Sequence, residues 1–132
     1  MCIRDRTRAL LEGITYGMAE QTRIFTEMGL PMKTIRLTGG GAQSAFWRQL
    51  QADVYGKPVA TVNSAEGPAF GVAILAGVGT GVWKSVPAAC KQIVKETKTL
   101  KPDPVAKKAY AKRVGTYQSL YPALKGVFPA LA

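Results

Sequence analysis

The segment Leu37-Thr38-Gly39-Gly40-Gly41-Ala42-Gln43-Ser44 is the part of the chain whose residue types and spacing best suit ligand chemistry. Three consecutive glycines strip a stretch of backbone of side chains, so that a flat base or a ribose could lie directly against it. They follow a β-branched run that reads as a strand, and they precede Ser44, a residue suited to cap a helix. The carboxyl end of a strand, just before a capped helix, is where open α/β folds bind ligands. The free N–H groups at such a helix start can meet polar or anionic groups. The spacing is not the GxGxxG of dinucleotide sites, and no Gly-Lys-Ser/Thr follows as in a phosphate-binding P-loop. From pattern alone, a turn that merely joins strand to helix reads equally well.

Other chemistry is sparse. The chain has no histidine, which removes Ser-His and Cys-His nucleophilic catalysis and His-based zinc sites together. Cys2 and Cys90 have neither metal-ligand spacing nor a disulfide framework. Acid–base work would fall to eight carboxylates or to residues outside the chain. Glu12, Glu20 and Glu27 fall on helical surfaces, Asp53 near a helix end, and Glu66 at a helix start where the dipole favours it; all read as structural. Trp47 and Trp83 read as core or interface residues. Arg48 and Gln49 lie near the glycines but occupy ordinarily solvated helix positions.

The elements that must position the glycines can be read from periodicity. Arg8 to Met28 forms a helix with Leu11, Ile14, Met18, Phe25 and Met28 as its apolar stripe. Gly13 and Gly17 lie on another face, as close packing against a neighbour would require, and Gly29-Leu30-Pro31 stops the helix. Thr34 to Thr38 is a strand. Ser44 caps a helix running to about Tyr55, closed by Gly56, with Phe46, Trp47, Leu50 and Val54 as its apolar stripe. Pro58 to Val62 is a second strand, so strand, helix and strand make a parallel βαβ unit. Glu66 to about Gly81 is a helix rich in small residues, and Pro87 to about Thr97 a shorter amphipathic one. The last helix carries Tyr110, Val114, Tyr117, Tyr121 and Leu124 on one face, with Pro122 kinking or dividing it. Two strands alone would leave a parallel sheet with open edges, which implies that further strands belong to it.

Composition sets the frame. With 132 residues, 47% hydrophobic and 20% charged, the chain suits one small globular domain. No stretch reaches the roughly 18 apolar residues of a membrane span, and Phe70 to Val82 is too short; no membrane role and a cytoplasmic location are the expectation. The net charge of +10 is concentrated in residues 84–132, where only Glu96 and Asp103 are acidic. That half is either a solvated lysine face or a basic module for nucleic acid. The lysines are scattered at helical spacing with no interleaved exposed aromatics, which favours the solvated face. The opening MCIRDR fits no targeting signal and reads as a non-native scar over residues 1–6, with natural sequence from about Thr7.

Four blocks in order resemble the C-terminal domain of the FGGY carbohydrate kinases: Leu11-Glu12-Gly13-Ile14, Gly39 to Gln49, Asp53 to Val59, and Glu66-Gly67-Pro68-Ala69-Phe70-Gly71-Val72-Ala73. The closing Tyr117 to Leu124 fits the family's last helix. The likeness spans about Thr7 to Ala132 and is greatest to the xylulose-phosphorylating members. It implies an α/β fold, part of an actin-like (ribonuclease H-like) ATPase domain with a short parallel βαβ core and several packing helices. It implies that residues 7–132 are a partial nucleotide-binding domain. Gly39, Gly40, Gly41 and Ala42 would form the wall beside adenine and ribose, with Ser44 capping the helix next to it. Glu66 to Ala73 would pack at the hinge between two domains. ATP and Mg²⁺ are the implied cofactors. The implied partners are a sugar and an N-terminal kinase domain that carries the catalytic base and sugar pocket. Glycerol, ribulose and gluconate are alternative substrates within the family, a homodimer stays open as an assembly, and the fragment alone is expected to be inactive.

Overall fold

The computed structural model describes residues 2–131. A long helix α1 (Ile3–Glu27) leads into strand β1 (Ile35–Leu37), a 3-10 turn (Gly40–Gln43) and helix α2 (Ala45–Tyr55). Strand β2 (Val59–Val62), helices α3 (Gly67–Gly79) and α4 (Val86–Ile93), strand β3 (Glu96–Leu100), helix α5 (Pro104–Leu124) and a closing 3-10 turn (Phe128–Leu131) complete it. No helix among the described residues is long and apolar enough to cross a membrane.

Local chemistry fixes the central βαβ unit. Ser44 begins α2, its Oγ accepting from the Trp47 N–H at 3.2 Å, which satisfies one of the helix's unpaired donors. Gly56 ends α2 in the left-handed conformation (φ 61°), where a glycine carries no Cβ penalty. The chain then turns back so that β2 lies parallel to β1, with Ile35 opposite Val59 and Leu37 opposite Thr61. The expected parallel pair is therefore present.

Further strands were implied, but not one at Glu96–Leu100. Residues 96–97, read as the tail of a helix, instead open β3, which pairs antiparallel with β2 in the order β1-β2-β3, with a register irregularity at Thr61/Val62. The physical reason lies in α4, which stops at Ile93 as Val94 turns extended. Asn63 then binds the crossing chain: its N–H donates to the Lys95 carbonyl at 3.0 Å, and its Oδ1 accepts from the Lys95 N–H at 2.8 Å. The alternation Glu-Thr-Lys-Thr-Leu is polar on both faces except at Leu100, so no hydrophobic period marks it.

Helix α2 is the pillar shared by two cores. Its Leu50 and Val54 pack with Tyr16 and Ala19 of α1 and Tyr110 of α5, while Ala52 packs with Leu37 and Val59 of the sheet. The buried face of α1 is distinct from its apolar stripe. Thr15, Tyr16 and Ala19 are buried, whereas Ile14, Met18, Phe25 and Met28 are exposed. Helix α1 meets α2 and α5 through Trp47 and the tyrosines of α5, whose polar tips require partners, so the polar-aromatic face docks and the aliphatic stripe is left outward. Of the two helical glycines on α1, Gly17 lies close to the Tyr117 hydroxyl, but Gly13 has open space beside it. Helix α5 runs through Pro122 undivided.

Helix α2 is also clasped to the start of α5. The buried Asp53 carboxylate accepts from Gln49 Nε2 and from the Asp103 N–H, both at 2.8 Å, and Gln49 Nε2 also reaches the Lys101 carbonyl at 3.1 Å. Gln49 is thus a structural residue. Helix α3 packs against α4 and buries Ile74, leaving Val72 and Leu75 exposed.

Candidate functional site

The glycine turn is built by three separate constraints. At Gly39 the backbone adopts φ 79°, ψ −175°, a conformation essentially closed to residues with a Cβ. Its N–H donates to the Ala65 carbonyl at 3.0 Å, tying the turn after β1 to the segment after β2. At Gly41 an added Cβ would sit 2.6 Å from the Trp47 ring. That indole is fixed in turn, its Nε1–H donating to Thr15 Oγ1 of α1 at 3.0 Å. Gly40 differs from both: an added Cβ there would meet no heavy atom within 4 Å, and its φ is not positive. Two of the three glycines are therefore required by the fold itself, and Gly40 is left bare without a reason among the described residues.

Beside the turn, at the carboxyl ends of β1 and β2, lies an open cavity of about 470 Å³. Gly39 and Ala42 form one wall, Thr61, Asn63 and Ser64 another, and Arg48 and Lys98 bring two cations; no Asp or Glu lines it. Gly41 and Ala42 border a smaller recess of about 330 Å³ with Met18, Arg36, Trp47 and Gln51. Gly40 lines neither, and the Ser44 hydroxyl is committed to its capping bond. Of the residues singled out in the sequence, the main cavity thus gathers Gly39 and Ala42.

Arg48 is the member that sequence reasoning undervalued. One Nη1 donates to the carbonyls of Ala42 at 2.6 Å and Gln43 at 3.0 Å, while Nε is buried without a hydrogen-bond partner. Arg48 lies four residues, about one helical turn, after the capping Ser44, and its side chain leans back over the glycine turn. Lys98 and Asn63 were missed because strand pairing, not sequence proximity, brings them to the glycines. Lys98 stands opposite Thr61 in the β2–β3 ladder.

The strongest ionic cluster lies elsewhere, between α1 and α5. Glu12 accepts from Arg8 Nε and the Tyr110 hydroxyl, each at 2.9 Å, and from the Tyr16 hydroxyl at 3.2 Å, with Arg113 Nη1 at 3.6 Å. Burial pushes the Glu12 carboxyl up, but hydrogen bonds from Arg8, Tyr110 and Tyr16 and the Arg8 charge outweigh it and hold the group below its ordinary range. Burial likewise raises Tyr110 and Tyr16. This cluster docks two helices and is a structural device. Trp83 is structural too, its Nε1–H donating to Gln92 at 2.9 Å.

Comparison with known proteins gives a consistent picture. Residues 4–80, from α1 through α3, match the family model described as "FGGY family of carbohydrate kinases, C-terminal domain". The xylulose kinase of Staphylococcus epidermidis is 34% identical over 121 residues, which is 92% of this chain and 24% of that protein. The solved xylulose kinase of Rhodospirillum rubrum superimposes with a TM-score of 0.74 at 26% identity, over 92% of this chain and 25% of that one. The solved gluconate kinase of Lactobacillus acidophilus, at 23% identity, shares the fold with a TM-score of 0.81 over 95% of this chain and 25% of that one. The chain spans about a quarter of the length of the relatives it matches.

Proposed function

The chain belongs to the FGGY family of carbohydrate kinases, and we propose that it supplies the adenosine-binding part of an ATP-dependent sugar kinase acting on D-xylulose in the cytoplasm. In this reading the backbone of Gly39–Ala42 stands beside the nucleoside and Ser44 holds the helix that follows. The γ-phosphoryl group passes to a hydroxyl of the sugar, giving xylulose 5-phosphate. The observation that carries the reading is the bare turn at the carboxyl end of β1, beside a cavity with two cations and no carboxylate. An anionic nucleotide suits that lining.

The residues present fit ATP better than they fit Mg²⁺. Gly39 and the unpaired Arg48 Nε offer a nucleotide both a surface and a donor. Among the described residues no three carboxylates or cysteines gather as a metal site, so the chain offers the ion no cage of its own. The sugar pocket, the catalytic base and the remaining phosphate contacts are assigned to the three-quarters of the relatives' length that lies outside this chain. Phosphoryl transfer needs those parts, so the chain by itself is proposed to be inactive.

Xylulose is preferred as substrate because the Staphylococcus and Rhodospirillum proteins that this chain resembles are xylulose kinases. The gluconate kinase likeness supports only the fold. The test is a panel of sugars with ATP and the intact kinase. Phosphorylation of xylulose ahead of glycerol, ribulose and gluconate is expected. Turnover of glycerol with none of xylulose would overturn the assignment.

A further inference from the structure

We propose that Arg48 is the positioning residue of this nucleotide site: it sets the glycine turn through Nη1 and offers Nε–H to an oxygen of the bound nucleotide. The proposal rests on the kinase reading above. A guanidinium carries five N–H donors in a fixed fork. Here one nitrogen is committed to the Ala42 and Gln43 carbonyls, at 2.6 and 3.0 Å. That bond ties the 3-10 turn to the first turn of α2 and fixes where the wall of the cavity stands. The same side chain lines the cavity, and its Nε is shut off from solvent with no partner. Leaving a donor of a charged group buried and unpaired is destabilising. Within the cavity no carboxylate is available to answer it, and the other charged group there is the cation Lys98. The acceptor assigned to it is an oxygen of the bound nucleotide, whose negative charge suits a cavity lined by two cations and no carboxylate.

The rival role is a staple, in which Arg48 only stiffens the turn. Lysine separates the two, because an ammonium can still bind the two carbonyls but has nothing in place of Nε. The intact kinase carrying Arg48→Met or Arg48→Lys would be assayed for kcat and for KM toward ATP and toward the sugar. Loss of one charge-assisted bond predicts a KM for ATP raised roughly ten-fold in both variants, with the sugar KM unchanged. In the unaltered enzyme the ¹⁵N signal of Arg48 Nε should shift when ATP is added, a readout that does not depend on either variant folding. An unmoved Nε signal in an enzyme that binds ATP, or full rescue of the ATP KM by lysine, would overturn the proposal. Failure of the unaltered enzyme to bind ATP at all would instead sink the kinase reading, and the role of Arg48 with it.

Discussion

Putting a methyl group on Gly41 would drive it to 2.6 Å from the Trp47 ring, and the ring cannot retreat without breaking its bond to Thr15. Overpacking of this kind destabilises by about 1–3 kcal/mol, so Gly41→Ala should lower the midpoint of denaturant unfolding whether or not nucleotide is present. An unchanged midpoint would show that Trp47 is not seated under the turn. Gly39 is constrained differently, by its backbone angles. At this scale the sequence announced that backbone is bare over residues 39–41, but not why. A run of glycines looks the same whether a ligand, a neighbouring indole or a positive φ demands it. Arg48 was misjudged for a related reason: helical periodicity says which way a side chain leaves its own helix, and not that a turn six residues earlier folds back to meet it.

At the scale of elements, the docking of α1 on α5 is held by Glu12, its three donors and the Arg113 ion pair, and this gives it a pH dependence. Because the folded carboxyl is held below its ordinary value of about 4.5, its contribution to stability is present above that pH. The contribution is lost as pH falls through the lowered folded value. Glu12→Gln should therefore melt at a lower temperature than the unaltered protein at pH 7, and the difference should shrink as the pH is brought well below 4.5. A difference that widens in acid would contradict the sign. The βαβ unit was legible because each boundary has its own local signal: Ser44 at the start of α2, Gly56 at its end, and β-branched residues in both strands. Strand β3 has no such signal. Its residues become a strand only because β2 offers an edge and Asn63 captures the approaching chain, both of which are tertiary facts. The apolar stripe of α1 was legible from its period, but the docked face, Thr15, Tyr16 and Ala19, was not, because its partners are tyrosines and a tryptophan.

At the scale of the molecule, the described chain ends its own structure with unfinished surfaces. Strand β1 is an edge strand, Ile14 and Phe25 of α1 and Met28 just after it are exposed, and so are Val72 and Leu75 of α3. An open parallel edge and exposed apolar residues favour association. Opposing this is a net charge of +10, whose repulsion salt screens over about 10 Å at 0.1 M. The 132-residue chain should thus self-associate increasingly as salt is raised, read by light scattering after gel filtration. A chain that stays monomeric at all salt concentrations would show those surfaces to be inert. The likeness of fold was visible from ordered sequence blocks, because glycine turns and small-residue helices keep their spacing. The site's floor was not, since it joins residues from α2, β2 and β3.

The claim on which the rest depends is that the turn is bare because a nucleotide lies on it. Gly40 is where this can be isolated, since a side chain there meets nothing in the chain and its backbone is not in the left-handed region. The direct measurement is calorimetric titration of ATP into the intact kinase and its Gly40→Leu variant, with melting temperatures recorded for both. A ligand-facing turn predicts ATP affinity weakened about ten-fold or more, roughly 1.4 kcal/mol, at an unaltered melting temperature. Equal ATP affinity in a variant that folds as stably as the original would contradict it.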